Sequence, residues 1–287
     1  MTAGFSHACA VTAGGAVVCW GENSAGQLGN GTTRDSAEPV TAIPSGAIQV
    51  SAERDTTCAV LTAGEVRCWG ANHAGQVGDG TTENALTPVT ALSSGAESVV
   101  ATAHFLSCAR TEANEIRCWG EWRRDGGYPE PNPPFTVTSG AVRYADNLCA
   151  VFDQGEVKCW GEFLVPDKDG AHAEYYETPV SLGIRGVSQL SHGVSHWCGV
   201  FAGPVKCWGS RIYGNMGDGA RDRPSNGLVS KPVTAIAGGA SQVSAGKDTT
   251  CAVVSGAIKC WGENDNSQLG DGTRLNSAVP INVTPTK

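Results

Sequence analysis

Short runs of apolar and β-branched residues alternate along the whole chain with turns rich in Gly, Asn, Asp and Thr. The fullest unit contains four such runs, at residues 49–52, 58–61, 65–70 and 87–90. No stretch has the apolar spacing of an amphipathic helix, and runs of this kind between turn residues are typical of β-strands. The pattern therefore predicts an all-β protein whose strands come in groups of four.

Each group of four runs contains two cysteines nine or ten residues apart, and the second cysteine is always followed by Trp-Gly. The second cysteines lie at positions 19, 68, 118, 159, 207 and 260, so the repeat is 41 to 53 residues long. A repeat of this length with four strands is typical of propeller blades. We predict a single β-propeller domain over residues 1–287 with six four-stranded antiparallel blades. A seven-bladed parent, of which this chain is a fragment, is the alternative.

The cysteine spacing fits two facing positions in a β-hairpin. If Cys58 faces Cys68, Leu61 faces Glu65 and residues 62–64 form a three-residue loop whose last position needs a left-handed backbone. The four residues at that position tolerate such a backbone; they are Gly15, Gly64, Asn114 and Gly155. The separation of nine in the last two repeats leaves two-residue loops at 202–203 and 255–256.

Facing residues of adjacent antiparallel strands are about 4.5 to 5.5 Å apart between Cα atoms, which a disulfide can bridge. We therefore expect one disulfide in each repeat, with no cysteine left over. The expected pairs are Cys9–Cys19, Cys58–Cys68, Cys108–Cys118, Cys149–Cys159, Cys198–Cys207 and Cys251–Cys260.

Segments 4–7, 19–23 and 26–32 read Gly-Phe-Ser-His, Cys-Trp-Gly-Glu-Asn and Gly-Gln-Leu-Gly-Asn-Gly-Thr. This signature resembles the regulator of chromosome condensation repeat family, and it recurs at 69–81 and 261–273. The resemblance implies a propeller of four-stranded blades, usually seven, that binds proteins through loops at its ends. Cysteine pairs in the two middle strands are similar to those of exported bacterial members.

The chain departs from the family pattern in three places. The third and fourth repeats lack the Gly-Gln-Leu-Gly segment and carry residues 121–128 and 162–170 instead. The first repeat lacks most of its opening strand, because residues 2–4 align with the end of the strand at 242–246. We expect the C-terminal segment 278–283 to pair near the first blade and help to close the propeller.

The cysteine content and the charge restrict the cellular compartment and the classes of binding partner that we expect. Twelve paired cysteines predict a secreted, periplasmic or cell-surface protein, because a reducing cytosol would keep the thiols free. No signal peptide is recognisable at residues 1–4, and no apolar run reaches the length of a membrane span. A net charge of −8 with 17% charged residues disfavours nucleic acid and anionic membranes as partners.

Few residues point to catalytic or metal chemistry. Without a free cysteine there is no thiol nucleophile, and the cysteine spacing does not suit zinc. The Asx-Gly-Thr segments at Asn30, Asp79, Asp218 and Asp271 predict turns, and only the acidic segment 167–177 resembles a calcium loop. His7 and His196, two residues before a first cysteine, are expected to pack inside a blade. We predict a non-enzymatic protein without metal or cofactor.

The turn before each first cysteine varies most between repeats, and such turns would lie at one end of the propeller, where family members contact proteins. Aromatic and arginine side chains on a rigid frame are good anchors for a partner, although these turns could also be ordinary solvated loops. The candidates for protein contact are Phe5, Arg54, Asp55, His104, Phe105, Asp146, Asn147, His196, Lys247 and Asp248.

A second candidate surface comes from the altered connections of repeats three and four, unless their aromatic residues merely cover a blade edge. Its residues are Trp122, Arg123, Arg124, Tyr128, Phe163, Tyr175 and Tyr176.

The function expected from these features is an extracellular protein–protein interaction module that presents variable loops on a disulfide-braced scaffold. Three alternatives stay open: a lectin-like propeller that stacks aromatic residues on glycans, a structural subunit of a cell-surface assembly, and a guanine-nucleotide exchange factor. The oxidising compartment disfavours the last of these.

Overall fold

The computed structural model describes residues 1–101, 105–120, 134–140, 144–146, 148–167, 170–220 and 228–283. Within these ranges it contains twenty-four β-strands, one short 3-10 helix at Asp153–Gly155 and no α-helix. The strands are grouped four to a sheet in six sheets. The all-β prediction with four strands per repeat is confirmed.

The first compact unit spans Met1–Asn147 and contains three complete antiparallel sheets, in which strands adjacent in sequence are hydrogen-bonded neighbours. The first sheet holds β1 (Thr2–Ala3), β2 (His7–Val11), β3 (Val17–Gly21) and β4 (Ser36–Ile43). The second holds β5 (Ala47–Glu53), β6 (Thr56–Leu61), β7 (Val66–Gly70) and β8 (Ala85–Leu92). The third holds β9 (Ala96–Ala101), β10 (Leu106–Thr111), β11 (Glu115–Gly120) and β12 (Phe135–Ser139), and β13 (Tyr144–Asp146) ends the unit.

The second compact unit spans Leu148–Lys287. It begins with β14 (Cys149–Val151), β15 (Val157–Asp167) and β16 (Gly170–Ser181). The next sheet contains β17 (Gln189–His192), β18 (His196–Val200), β19 (Val205–Ser210) and β20 (Leu228–Ile236). The last contains β21 (Ala240–Ala245), β22 (Thr249–Val254), β23 (Ala257–Gly262) and β24 (Ser277–Asn282). The single-domain organisation stays a prediction.

The hairpin register agrees with the prediction in every repeat. All twelve cysteines are among the described residues and form the six expected disulfides, with Cα atoms 4.0 to 4.1 Å apart. This is slightly closer than expected, because the cysteines occupy the non-hydrogen-bonded positions of the ladder, where strands approach most closely. The predicted left-handed positions are also present, with φ of 74° at Gly64 and 57° at Asn114.

The ends of the chain agree with one expectation and differ from another. The first sheet opens with a two-residue strand, β1, as the alignment indicated. The C-terminal segment was expected to pair near the first blade, but β24 is hydrogen-bonded to β23, with Ile281 opposite Cys260. It is the fourth strand of its own repeat, which otherwise would have only three.

Tryptophan side chains connect consecutive repeats. Trp69, Trp119 and Trp261 are fully buried, and their indole N–H groups donate hydrogen bonds to the backbone carbonyls of Gln27, Gln76 and Asn215 at 2.9, 3.0 and 2.9 Å. Each acceptor belongs to the Gly-Gln-Leu-Gly segment, or its equivalent, of the preceding repeat. The Trp-Gly pattern in the sequence therefore reflects packing between repeats.

The tryptophans that follow the two repeats without the Gly-Gln-Leu-Gly segment differ in their hydrogen bonding. Trp160 and Trp208 follow those repeats, and their buried indole N–H groups have no hydrogen-bond partner among the described residues. Among the described residues, these two indole groups therefore lack the hydrogen bond that Trp69, Trp119 and Trp261 make.

The expected packing of His7 and His196 inside the blades takes the form of contacts to the next repeat. The Nε2 atom of His7 is 2.8 Å from Thr57 Oγ1, and that of His196 is 2.7 Å from Thr250 Oγ1. Burial lowers the pKa of both imidazoles to about 4. His196 is fully buried, so it supports the turn before its cysteine and is not accessible to a partner.

We expect His196 to make the protein less stable in mild acid. Because the pKa of the folded imidazole is about 4 and that of an exposed histidine is 6.5, protons bind preferentially to the unfolded chain between these values. The contribution of His196 to the free energy of unfolding is fully present above about pH 6.5 and is lost as the pH decreases towards 4. Between pH 7 and 5 the wild-type protein should lose about 2 kcal/mol more than His196→Gln, as measured by urea unfolding. The difference between the two proteins should be constant from pH 7 to 8; equal losses between pH 7 and 5 would contradict the assignment.

Candidate functional site

Four of the predicted contact residues converge on one cavity in the first unit. Phe5, Arg54, Asp55 and Phe105 line a cavity of about 280 Å³. They come from the turns before the first cysteines of repeats one, two and three, which lie far apart in sequence. The prediction that these turns form a common surface therefore has a geometric basis in this unit.

The sequence did not single out the other residues of the cavity wall, which lie next to the predicted turns or come from the loop after β7. They are Glu53, Thr56, Ala71, His73, Gln76 and Leu106. The position of Glu53 beside the Arg54-Asp55 turn was the one available signal.

The remaining candidates are placed differently. His104 and Asn147 lie outside the described residues, as do Trp122, Arg123, Arg124 and Tyr128, and the side chain of Asp146 is not described. Lys247 is exposed, whereas Asp248 is 7% exposed. Phe163 and Tyr175 lie in the paired strands β15 and β16, and Tyr176 is half-buried opposite Gly161.

The turn at Arg54 is held close to the Trp-Gly segment of its own repeat. The Asp55 carbonyl accepts a hydrogen bond from the Ala71 amide at 2.8 Å. Gly70 has a φ of 100°, and a Cβ atom there would lie 2.2 Å from the Asp55 carbonyl oxygen. The same contact recurs between Gly120 and Phe105 and between Gly262 and Asp248. Glycine therefore follows the Cys-Trp pair of these repeats because only a residue without a side chain lets the variable turn approach.

Arg54 is the centre of the site. Its guanidinium carbon lies 5.3 Å from the centroid of the Phe5 ring and 5.0 Å from that of Phe105, and His73 contacts Phe105 edge-on at 4.8 Å. Cation–π contacts at such distances contribute about 0.5 to 1 kcal/mol each at exposed sites. Neighbouring turns are joined directly as well, since the Phe5 amide donates to the Arg54 carbonyl at 3.2 Å.

Arg54 and Phe105 have left-handed backbones, with φ of 47° and 58°. Such conformations cost free energy for bulky residues and are concentrated at binding and catalytic sites. The two side chains that contact each other across the turns are thus also the ones held in unfavourable backbone conformations.

Two carboxylates line the cavity beside Arg54. Burial raises the pKa of Glu53 and of Asp55, and the nearby Glu22 carboxylate raises that of Asp55 further. The Gln27 side-chain amide donates to Asp55 Oδ1 at 3.3 Å. The cavity therefore combines an aromatic wall, one guanidinium and a local excess of negative charge.

The corresponding turns in the second unit share the backbone arrangement but not the aromatic residues. The Val194 amide donates to the Lys247 carbonyl at 3.0 Å, as Phe5 does to Arg54. Burial raises the pKa of Asp248, and Val194 is 64% exposed. Among the described turns before a first cysteine, the cation–π arrangement therefore occurs only in the first unit.

The possible calcium-binding segments have structural explanations where they are described. Asp79 Oδ1 accepts hydrogen bonds from the Thr81 amide and hydroxyl at 2.9 and 2.8 Å, which is a turn, as predicted. In repeat four, Asp167 opposes Gly170 at the end of the hairpin formed by β15 and β16. Among the described residues no group of three or more His, Cys, Asp or Glu could hold a metal ion.

None of the helices in the described part of the chain is long and apolar enough to cross a membrane.

Repeated four-stranded antiparallel sheets, each with one disulfide between its two middle strands, define a β-propeller with disulfide-bonded blades. The family model "Regulator of chromosome condensation (RCC1) repeat" matches residues 1–27 and 47–76. The chain is therefore a β-propeller, and these two segments are similar to regulator of chromosome condensation repeats, in agreement with the resemblance seen in the sequence.

Comparison with individual proteins agrees with this assignment. Human E3 ubiquitin-protein ligase HERC2 is 38% identical over 77 residues, which are 25% of this chain and only 2% of HERC2. Yeast RCC1 (Prp20), in a structure with Kap60 bound, has a TM-score of 0.80 and 18% identity, covering 99% of this chain and 74% of that one. Human WBSCR16 also has a TM-score of 0.80, with 20% identity, covering 99% and 81%.

Proposed function

We propose that this propeller is a non-enzymatic protein–protein interaction module and that the cavity around Arg54 is part of its binding surface. The observation that carries this proposal is the placement of Arg54 between Phe5 and Phe105 on turns that vary from repeat to repeat. Arginine and aromatic residues supply much of the binding energy in protein interfaces. Their fixed positions here would reduce the entropy lost on binding.

The proposed location is extracellular, periplasmic or on the cell surface. Support comes from the six disulfides, which form and persist in oxidising compartments. The likeness in fold to yeast RCC1, which is seen bound to Kap60, supports a protein partner in general terms. The net charge of −8 is unfavourable for binding nucleic acid or anionic membranes.

The proposal can be tested by capture of partners from the extracellular fraction of the producing organism on the immobilised protein. Replacing two anchors, in Arg54→Ala/Phe105→Ala, should reduce capture at least tenfold, because anchor residues typically contribute 2 kcal/mol or more to binding. Quantitative mass spectrometry of the captured proteins provides the measurement.

A matched control removes the same kind of contact elsewhere. Lys206 lies over the Phe201 ring at 5.1 Å, next to a hairpin loop of the second unit. Phe201→Ala/Lys206→Ala should capture the same proteins as the wild type. Equal capture by the wild type and the Arg54→Ala/Phe105→Ala variant would exclude this surface as the binding site.

A further inference from the structure

We propose that the cavity beside Arg54 receives a basic side chain, lysine or arginine, from the protein partner. This inference rests on the proposed function and adds to it the chemistry of the group that is recognised. It follows from the size of the cavity, from its charge and from the contacts of the Arg54 guanidinium with two phenylalanine rings.

The cavity is small. Its volume of about 280 Å³ is at or below the lower limit of pockets that bind small molecules and cofactors, which is about 300 Å³. A single side chain inserted from a partner fits this size class better than a complete cofactor or substrate. The aromatic wall is suited to the apolar stem that lysine and arginine carry below their charge.

The charge of the site favours a cation. Glu53 and Asp55 line the cavity, and Glu22 is close enough to act on Asp55. These three carboxylates and the Arg54 guanidinium give a formal charge of −2. An anionic ligand would have to approach against this charge, whereas a basic partner would also be attracted by the net charge of the chain.

Burial raises the pKa of both carboxyl groups, and it outweighs the charge of Arg54, which lowers the pKa of each. No lysine, arginine or histidine among the described residues forms an ion pair with Glu53 or Asp55. The Arg54 guanidinium lies over the two phenylalanine rings, so it forms a wall of the cavity. The carboxylates have lost part of their hydration without gaining a cation in contact, which an incoming ammonium or guanidinium group would supply.

The inference can be tested with three probes, N-acetyl-arginine amide, N-acetyl-lysine amide and N-acetyl-glutamate amide, titrated into the ¹⁵N-labelled protein. The two basic probes should shift the Ala71 backbone amide and the Gln27 side-chain amide, with dissociation constants on the order of millimolar, as expected for a single side chain. The glutamate probe should leave both signals unchanged at the same concentrations.

Variants at the carboxylates distinguish binding in this cavity from non-specific binding of the probes to the protein surface. Glu53→Gln and Asp55→Asn should each weaken binding of the arginine probe at least threefold. Asp248→Asn is the matched control, because Asp248 occupies the position of Asp55 in the last repeat and burial raises the pKa of both carboxyl groups; it should have no effect. Spectra of each variant without probe verify that it is folded.

The outcomes distinguish this inference from the proposed function. Binding of the glutamate probe instead of the basic ones, or unchanged binding of the arginine probe by both Glu53→Gln and Asp55→Asn, would overturn the basic occupant. If these two variants capture the partner normally while Arg54→Ala/Phe105→Ala does not, the interaction surface stands and the basic occupant is wrong. Normal capture by all three variants would reject both.

Discussion

Full reduction of the six disulfides should unfold this protein at 25 °C. In the chain-entropy model a bridge that closes a loop of about ten residues contributes roughly 2 to 3 kcal/mol, so six together are worth on the order of 12 to 18 kcal/mol. Domains of ordinary stability have about 5 to 15 kcal/mol in total. Eleven of the twelve cysteines are also buried, so the free thiols would have to be accommodated in close-packed surroundings.

The measurement is near-ultraviolet circular dichroism of the eight tryptophans after unfolding in urea, with or without reductant, and dilution into native buffer that keeps any free thiols reduced. We expect the protein unfolded without reductant to regain its native spectrum and the reduced protein not to. Removal of one bridge, in Cys251→Ala/Cys260→Ala, should leave a folded protein that is about 2 to 3 kcal/mol less stable. A native spectrum of the fully reduced protein would show that packing alone maintains the blades.

Gly70→Ala should destabilise the protein by about 3 kcal/mol or more, which is at the upper end of single substitutions. A methyl group at this position would meet the Asp55 carbonyl oxygen at 2.2 Å, so the backbone of the turn must move. The φ of 100° adds strain for any residue with a side chain. Because Asp55 and Arg54 lie on that turn, binding should weaken together with stability.

Gly95 offers a control for the backbone contribution. It has a φ of 80° and open space where a Cβ atom would lie. Gly95→Ala should therefore cost only the left-handed backbone strain, about 1 to 2 kcal/mol. Urea unfolding of both variants checks the comparison. If they lost equal stability, the close approach of Gly70 to the turn would not matter.

The disulfides and hairpins could be predicted from the sequence because they depend on local spacing. Once two cysteines are ten residues apart on adjacent strands, the facing pair, the loop length and the left-handed residue all follow from the geometry of a hairpin. The removal of one residue before Cys207 and before Cys260 leaves the facing pairs intact. The prediction was stronger because the same cysteine spacing fits a hairpin in all six repeats.

The role of individual candidates could not be predicted in the same way. His196 was expected to pack inside a blade and was also grouped with the exposed turn residues because it lies next to them in sequence; it is fully buried against Thr250 of the next repeat, so only the first expectation is confirmed. The C-terminal strand was assigned to the wrong neighbour for a related reason. Strand propensity shows that a segment pairs, but the partner depends on which ladder lacks a strand.

By itself, the sequence determined the strands, their grouping into six disulfide-bonded repeats and the resemblance to a repeat family, because each depends on residues close together in the chain. Only the tertiary structure decided that Phe5, Arg54 and Phe105, from three different repeats, form one aromatic and cationic wall. It also placed Glu53 and His73 beside them and explained the glycine of the Cys-Trp-Gly segments by its approach to the variable turn. These features depend on how neighbouring sheets pack, which the period of a repeat does not specify.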